Sequence, residues 1–224
     1  IIFDIHSEYK NAFSLDESEN FTLNNLDVEK INIPYWLMNS EELESLFIES
    51  NEMNSHNQIS QFKRAVILSK EKHNPGRKIT YDMPVYFDIK EVYNFIYNLN
   101  CEVISKIDGE SGKPKLKDGH LIEDITEYLD STYDFVPSST ATATKASNGP
   151  FNGEFERFLT RIETKLNDKR LNFITNPKKD DGSEFKTDDF SIILKQFIGY
   201  IDKSNISIID LSGVPFEVLS ITVS

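Results

Sequence analysis

The hydrophobic pattern is clearest over 188–202. Phe190, Ile193, Leu194, Phe197, Ile198 and Ile201 recur at helical spacing there, and Thr187 or Asp188 stands where a cap belongs. Ile59, Phe62, Val66 and Ile67 predict a second helix over about 57–72, ended by Asn-Pro-Gly at 74–76. In PVYFDIKEVYNFIYNL (84–99), an extended lead-in precedes a stripe of Ile89, Val92, Tyr93, Ile96 and Tyr97. FERFLTRIETKL (155–166) is helical by the same pattern, and LIEDITEYL reads as a short helix. Asn39 or Ser40, followed by Glu41 and Glu42, caps a helix through LESLFI.

Strand signals lie at the two ends of the chain. IIFDIH (1–6) reads as a buried strand, followed by a polar stretch to about residue 30. SNISIID is a second buried strand, ending on Asp210 before a turn at Ser212-Gly213. Pro215 then opens a helix over FEVLSITVS. INIPYWL (31–37), broken by Pro34, is a short edge strand or an extended segment. The stretches GESGKPKLKDGH and SSTATATKASNGP mark 102–150 as an insertion with mobile loops. Strands separated by helices predict an α/β sheet with a large, mostly helical insertion. Ligands of such sheets sit beyond the carboxyl ends of the strands, where Asp4, His6, Glu8 and Asp210 fall.

Charge narrows the function classes. At −13 over 224 residues, the chain repels phosphate backbones, which argues against broad nucleic-acid binding by the chain alone. One local exception is QFKRAVILSKEKHNPGRK (61–78). Lys63, Arg64, Lys70, Lys72, Arg77 and Lys78 make it either a DNA-facing patch within an assembly or a solvated helix face and its turn. No run of eighteen apolar residues predicts a membrane span, and no secretory signal pattern is seen. The single Cys101 offers no intramolecular disulfide and no Cys-based zinc site, consistent with a reducing, cytoplasmic setting.

Asp4-x-His6 is compatible with a divalent ion and with the start of a metallophosphoesterase, but His56, His73 and His120 lie in no matching context, so no metal site is assigned. Gly109-Glu-Ser-Gly112-Lys113 has the wrong spacing for a P-loop, and Pro114 follows it. ISIID has the form of a Walker B strand, but Leu211 stands where a catalytic Glu is often found. No GxSxG occurs, and Cys101 has no neighbouring base.

Taken with its neighbours, IIFDIHSEY resembles the D-P-H-G-E-Y segment of HerA-type ATPases in the HerA–FtsK superfamily. IPYWLMNSEELESLF, RIETKLNDKRLNFI and ISIIDLSGVPFEVLSITVS are similar to later blocks of that family, in the same order. The resemblance implies an incomplete RecA-like P-loop NTPase sheet, with the P-loop and Walker B segments outside these residues. Residues 1–37 would open the core and 38–101 would be a helical inserted region. Residues 102–150 would form a loop-rich insertion, in part disordered, and 151–224 would return to the core.

The implied activity is ATP-driven DNA translocation by a hexamer, with a NurA-type nuclease as partner. ATP and Mg²⁺ would be cofactors of the parent protein, and these residues alone are expected to be inactive. Asp4 and Glu8 would lie beside the nucleotide as catalytic candidates, ordering metal-bound water or a neighbouring subunit's groups. His6 and Asp210 would be strand-end neighbours of that site. Two departures stand out: Ile5 replaces the family's Pro and Ser7 its Gly, so no glycine-only backbone is expected at residue 7. Without flanking strands, exposed apolar sheet edges would make these residues prone to self-association or low stability. The alternative is a non-catalytic protein-interaction or scaffold module with an incomplete ATPase fold.

Overall fold

The computed structural model describes residues 1–14, 22–49, 51, 52, 54–198, 204–215, 218 and 219. They form two units of mixed α/β character. The first comprises Ile1–Leu46, Pro84–Tyr86 and Thr164–Ser224; the second comprises Phe47–Met83 and Phe87–Glu163.

In the first unit, strands β1 (Ile2–Asp4) and β2 (Leu23–Leu26) flank β5 (Ile206–Asp210) in a parallel sheet of order β1-β5-β2. The register pairs Ile2 with Ile208 and Asp4 with Asp210, while Leu26 pairs with Ile209. β5 takes the centre because Ser207, Ile208 and Ile209 are consecutively buried, as a strand covered on both faces requires. The buried strand expected over 1–6 is shorter and less covered: β1 stops at Asp4, and Phe3 is 43% exposed, because β1 is an edge of the described sheet.

β2 falls within the stretch that reads as polar, since two of its four residues are asparagines. Buried Asn24 is compatible with a strand because its amide donates to Gln196 O at 2.9 Å and to Ser207 Oγ at 3.3 Å. Gln196 lies on helix α7 (Phe190–Phe197), and its own amide exchanges two hydrogen bonds with the backbone of Asn32. The expected 188–202 helix begins later than its pattern suggests, after a 3₁₀ turn at Thr187–Asp189, and 199–203 lie outside the described residues. Its apolar stripe is divided: Ile193 is buried, whereas Phe190, Leu194 and Ile198 are exposed. Of the helix expected after Pro215, the described residues Val218 and Leu219 are helical, and both donate to Pro215 O.

Residues 31–34 belong to no helix or strand, and a 3₁₀ turn follows at Tyr35–Leu37. Helix α2 (Ser40–Phe47) starts on a reciprocal cap. Glu42 N–H donates to Asn39 Oδ1 at 3.0 Å, and Asn39 N–H donates to Glu42 Oε2 at 2.9 Å.

The second unit is built on α3 (Ser55–His73) and α4 (Ile89–Cys101). Phe62, Ala65 and Val66 of α3 are buried, as are Val92, Phe95 and Ile96 of α4. Asp88 caps α4 by accepting from Lys90 N–H at 2.8 Å. Asn74 closes α3, and Gly76 follows at φ 80°, the left-handed conformation that favours glycine. The segment 102–150 holds an antiparallel pair of β3 (Val103–Ser105) and β4 (Ala146–Asn148), and a 3₁₀ turn at Ile125–Leu129. Asn98 ties it to α4, donating to Tyr128 O and Ser131 O and accepting from Tyr133 N–H. On helix α5 (Glu156–Asn167), Phe158 packs edge-on against both Phe62 and Phe155; the short helix α6 (Asn172–Thr175) belongs to the first unit.

Candidate functional site

Parallel pairing of β1 with β5 sets Asp4 and Asp210 side by side at the carboxyl ends of two strands. Each aspartate is bound to the other strand's loop as well as to its own. Leu211 N–H donates to Asp4 O at 2.8 Å. Asp4 is 1% exposed, and its carboxylate accepts from His6 N–H at 3.2 Å and from Tyr9 N–H at 2.9 Å, so it organises the turn into α1 (Tyr9–Ser14). Asp210 accepts from Ser212 N–H at 3.0 Å with Oδ1 and from the Ser7 hydroxyl at 2.7 Å with Oδ2. Partial burial works to raise the Asp210 pKa, but the bonds from Ser212 and Ser7 prevail and hold it below the ordinary carboxylate range.

His6 and Glu8 project from the same loop and are exposed. Asp4 and His6 therefore do not converge on a metal: one is buried under the loop and the other is on its surface. Among the described residues no group of three or more His, Cys, Asp or Glu side chains suits a metal ion. With the carboxylates of Asp4 and Asp210 both engaged in protein hydrogen bonds, these residues do not by themselves fit a magnesium–phosphate site.

Ser7 is a site residue that residue type alone does not reveal. At φ 57° it is the one described non-glycine residue with positive φ. This φ lies in the left-handed region, which favours glycine but admits other residues, and a serine occupies it where the motif has glycine. The available signal is the position itself, where the motif has glycine.

The basic stretch 61–78 divides. Lys63, Arg64, Lys72, Arg77 and Lys78 are exposed. Lys63 Nζ lies 5.6 Å from the Tyr81 ring centroid, and the Arg64 guanidinium 5.8 Å from that of Phe95. Lys72 pairs with Glu91 at 2.7 Å and Asp130 at 2.9 Å; the Glu91 hydrogen bond is the main cause of its raised pKa. Lys70 is not on this surface. It is fully buried, and its ammonium donates to Tyr81 O and, at 2.7 Å, to Met83 O. Burial pushes its pKa down to about 8, against the pull of the Asp82 carboxylate. The sign of this is its spacing, four residues after buried Val66 and eight after buried Phe62.

The first unit also has an open cleft of about 450 Å³, lined in part by Leu26, Lys30, Lys179, Phe185, Ile192 and Gln196. Asp4, His6, Glu8 and Asp210 are not part of its lining. Among the described residues no helix is long and apolar enough to cross a membrane.

No curated protein sequence gives a significant match to the chain. The family described as "Helicase HerA, central domain" matches it over residues 1–224. That is the family the strand-end motif resembles, and the chain belongs to it.

Proposed function

We propose that this chain is the central part of a HerA-like, ATP-driven DNA translocase, with the β1–α1 loop set beside the nucleotide. Family membership supports the coarser statement, an ATPase- or helicase-related role. The observation that carries the finer one is Ser7: its backbone is left-handed at φ 57° where D-P-H-G-E-Y has glycine. A left-handed turn at the motif's glycine position supports this reading, with Glu8 exposed beyond the turn and Asp4 holding it from beneath.

In this reading the sheet is part of a RecA-like core and the helical second unit is an insertion. Glu8 is the carboxylate facing the nucleotide, and His6 shapes the same loop. ATP and Mg²⁺ are cofactors of the parent protein. No GxxxxGK[ST] occurs in these residues, so other parts of the parent hold the β- and γ-phosphates, and the chain alone does not turn over ATP. The parent acts as a hexamer on DNA, with a NurA-type nuclease as its candidate partner. Lys63, Arg64, Arg77 and Lys78 supply a DNA-facing surface of the second unit.

The test is the DNA-stimulated ATPase of the full reading frame beside that of the 224-residue chain. Turnover in the long form alone supports the reading; turnover in neither overturns it. Apolar exposure of Ile1, Phe3 and Ile5 favours a second reading, a non-catalytic interaction module. Absence of ATPase, with a stable complex formed through that edge, identifies it.

A further inference from the structure

We infer that Ser7 and Asp210 form a latch that fixes the β1–α1 loop, making Asp210 a positioning residue for Glu8 rather than a nucleotide ligand. Three observations meet here. The Asp210 carboxylate is divided between two loops, Oδ1 on the turn after β5 and Oδ2 on the Ser7 hydroxyl. The latter bond joins residues 203 positions apart in sequence, at the open end of the sheet. Lastly, Ser7 adopts a left-handed backbone that disfavours an L side chain, and the hydroxyl it carries there makes a bond that glycine cannot make.

The latch works alongside a second link. Asp4 O accepts from Leu211 N–H, and Asp210 accepts from Ser7, so each strand-end aspartate is bonded to the loop after the other strand. Exposed His6 lies between the two links, and exposed Glu8 directly follows the second. A displacement of the Ser212-Gly213 turn is therefore passed to Glu8 through one carboxylate, and a load on Glu8 is passed back. The link between the loops stands on the geometry alone; its consequence for Glu8 rests on the ATPase reading.

The experiment compares Ser7→Ala, Ser7→Gly, Asp210→Ala, Asp210→Asn and the Ser7→Ala/Asp210→Ala pair. In the 224-residue chain, amide hydrogen exchange is read at 5–9 and 211–214. Asp210→Ala, Ser7→Ala and Ser7→Gly should each speed exchange at 5–9 by about fivefold, and the double variant no further. Asp210→Asn, whose amide can still bridge both loops, should restore protection. Ser7→Gly keeps the test open if a left-handed alanine prevents folding. Unchanged exchange in Ser7→Gly and Asp210→Ala, or additive effects in the pair, overturns the latch.

In the full reading frame, Asp210→Ala should lower kcat with little change in KM for ATP, and Asp210→Asn should recover it. A raised KM with kcat unchanged would instead make Asp210 a binding group. If the parent has no ATPase activity, the proposed function fails while the exchange data still decide the latch.

Discussion

Tyr128 and Glu102 meet inside the second unit, the phenol hydroxyl donating to Oε2 at 2.7 Å. Burial raises the Glu102 pKa, while the Tyr128 bond and the charge of Arg64 pull it down less strongly. The folded state thus keeps this proton to higher pH than the unfolded chain does. The stability contributed by protonated Glu102 is present below the ordinary carboxylate pKa and lost as pH rises through the raised one. Denaturant unfolding between pH 4 and pH 7 should show this slope flattened in Glu102→Gln, and equal slopes in both proteins would refute the assignment.

Gly149 is required beside that carboxylate for space rather than for backbone freedom. A Cβ there would lie 2.3 Å from Glu102 Oε1. Gly149→Ala should destabilise the chain by about 1–3 kcal/mol, with much of the loss recovered in a Glu102→Ala background. Chemical denaturation of the four proteins measures both effects.

Lys70 gives a pH dependence of the opposite sign. Its folded pKa of about 8 lies below the usual lysine value, so the unfolded chain binds its proton more readily above that pH. This group's contribution therefore makes the fold more stable as pH rises from about 8 towards the ordinary lysine pKa. Lys70→Met should remove that rise. It should also destabilise the fold near neutrality by about 1–3 kcal/mol, because the carbonyls of Tyr81 and Met83 lose a donor. Thermal melts from pH 7 to pH 10 compare the two proteins directly.

In the full reading frame, DNA affinity should weaken uniformly across sequences on replacing Arg77 or Lys78 by alanine. Each change should make the slope of log K against log salt shallower by about 1, because one phosphate is no longer neutralised. Lys70→Met should leave the slope unaltered, since Lys70 lies in the interior. Slopes that do not respond to Arg77 and Lys78 would remove this surface from the DNA path.

Asp4 and Glu8 should separate by the kind of damage they cause. Asp4→Ala leaves two backbone N–H groups without their acceptor and should cost about 1–3 kcal/mol of stability in the 224-residue chain itself. Glu8→Gln should leave the melting temperature unchanged, because the side chain is exposed, while lowering ATPase turnover of the parent about 10²-fold. A destabilised Glu8→Gln, or one of full activity, would contradict the proposed role.

The helices of the second unit are legible in the sequence because their cores are apolar at the expected spacing: Phe62 and Val66 on α3, and Val92 and Ile96 on α4. Asp210 at a strand end is equally plain. β2 is not, because Asn24 sits in the sheet through bonds to Gln196 and Ser207, residues far away in the chain, which no local pattern records. Lys70 passes for a surface cation for a related reason: the carbonyls that accept its protons belong to a turn eleven and thirteen residues on. For the site, the positions of Asp4, His6 and Glu8 along the strand can be read, but their burial cannot. Asp4 lies beneath the loop and Glu8 outside it because Ser7 reverses the backbone between them, and φ is not written in residue type.

The sheet register has a consequence for synthesis. β1 is made long before β5, and the first unit also needs Pro84–Tyr86 and the run from Thr164 onward. The second unit draws on one nearly unbroken run, Phe47–Met83 and Phe87–Glu163. Local contacts form early and distant ones late, so on the ribosome the second unit folds first. Until Ile206–Asp210 emerges, β1 has no β5 to pair with, and its apolar residues are the ones a chaperone would meet.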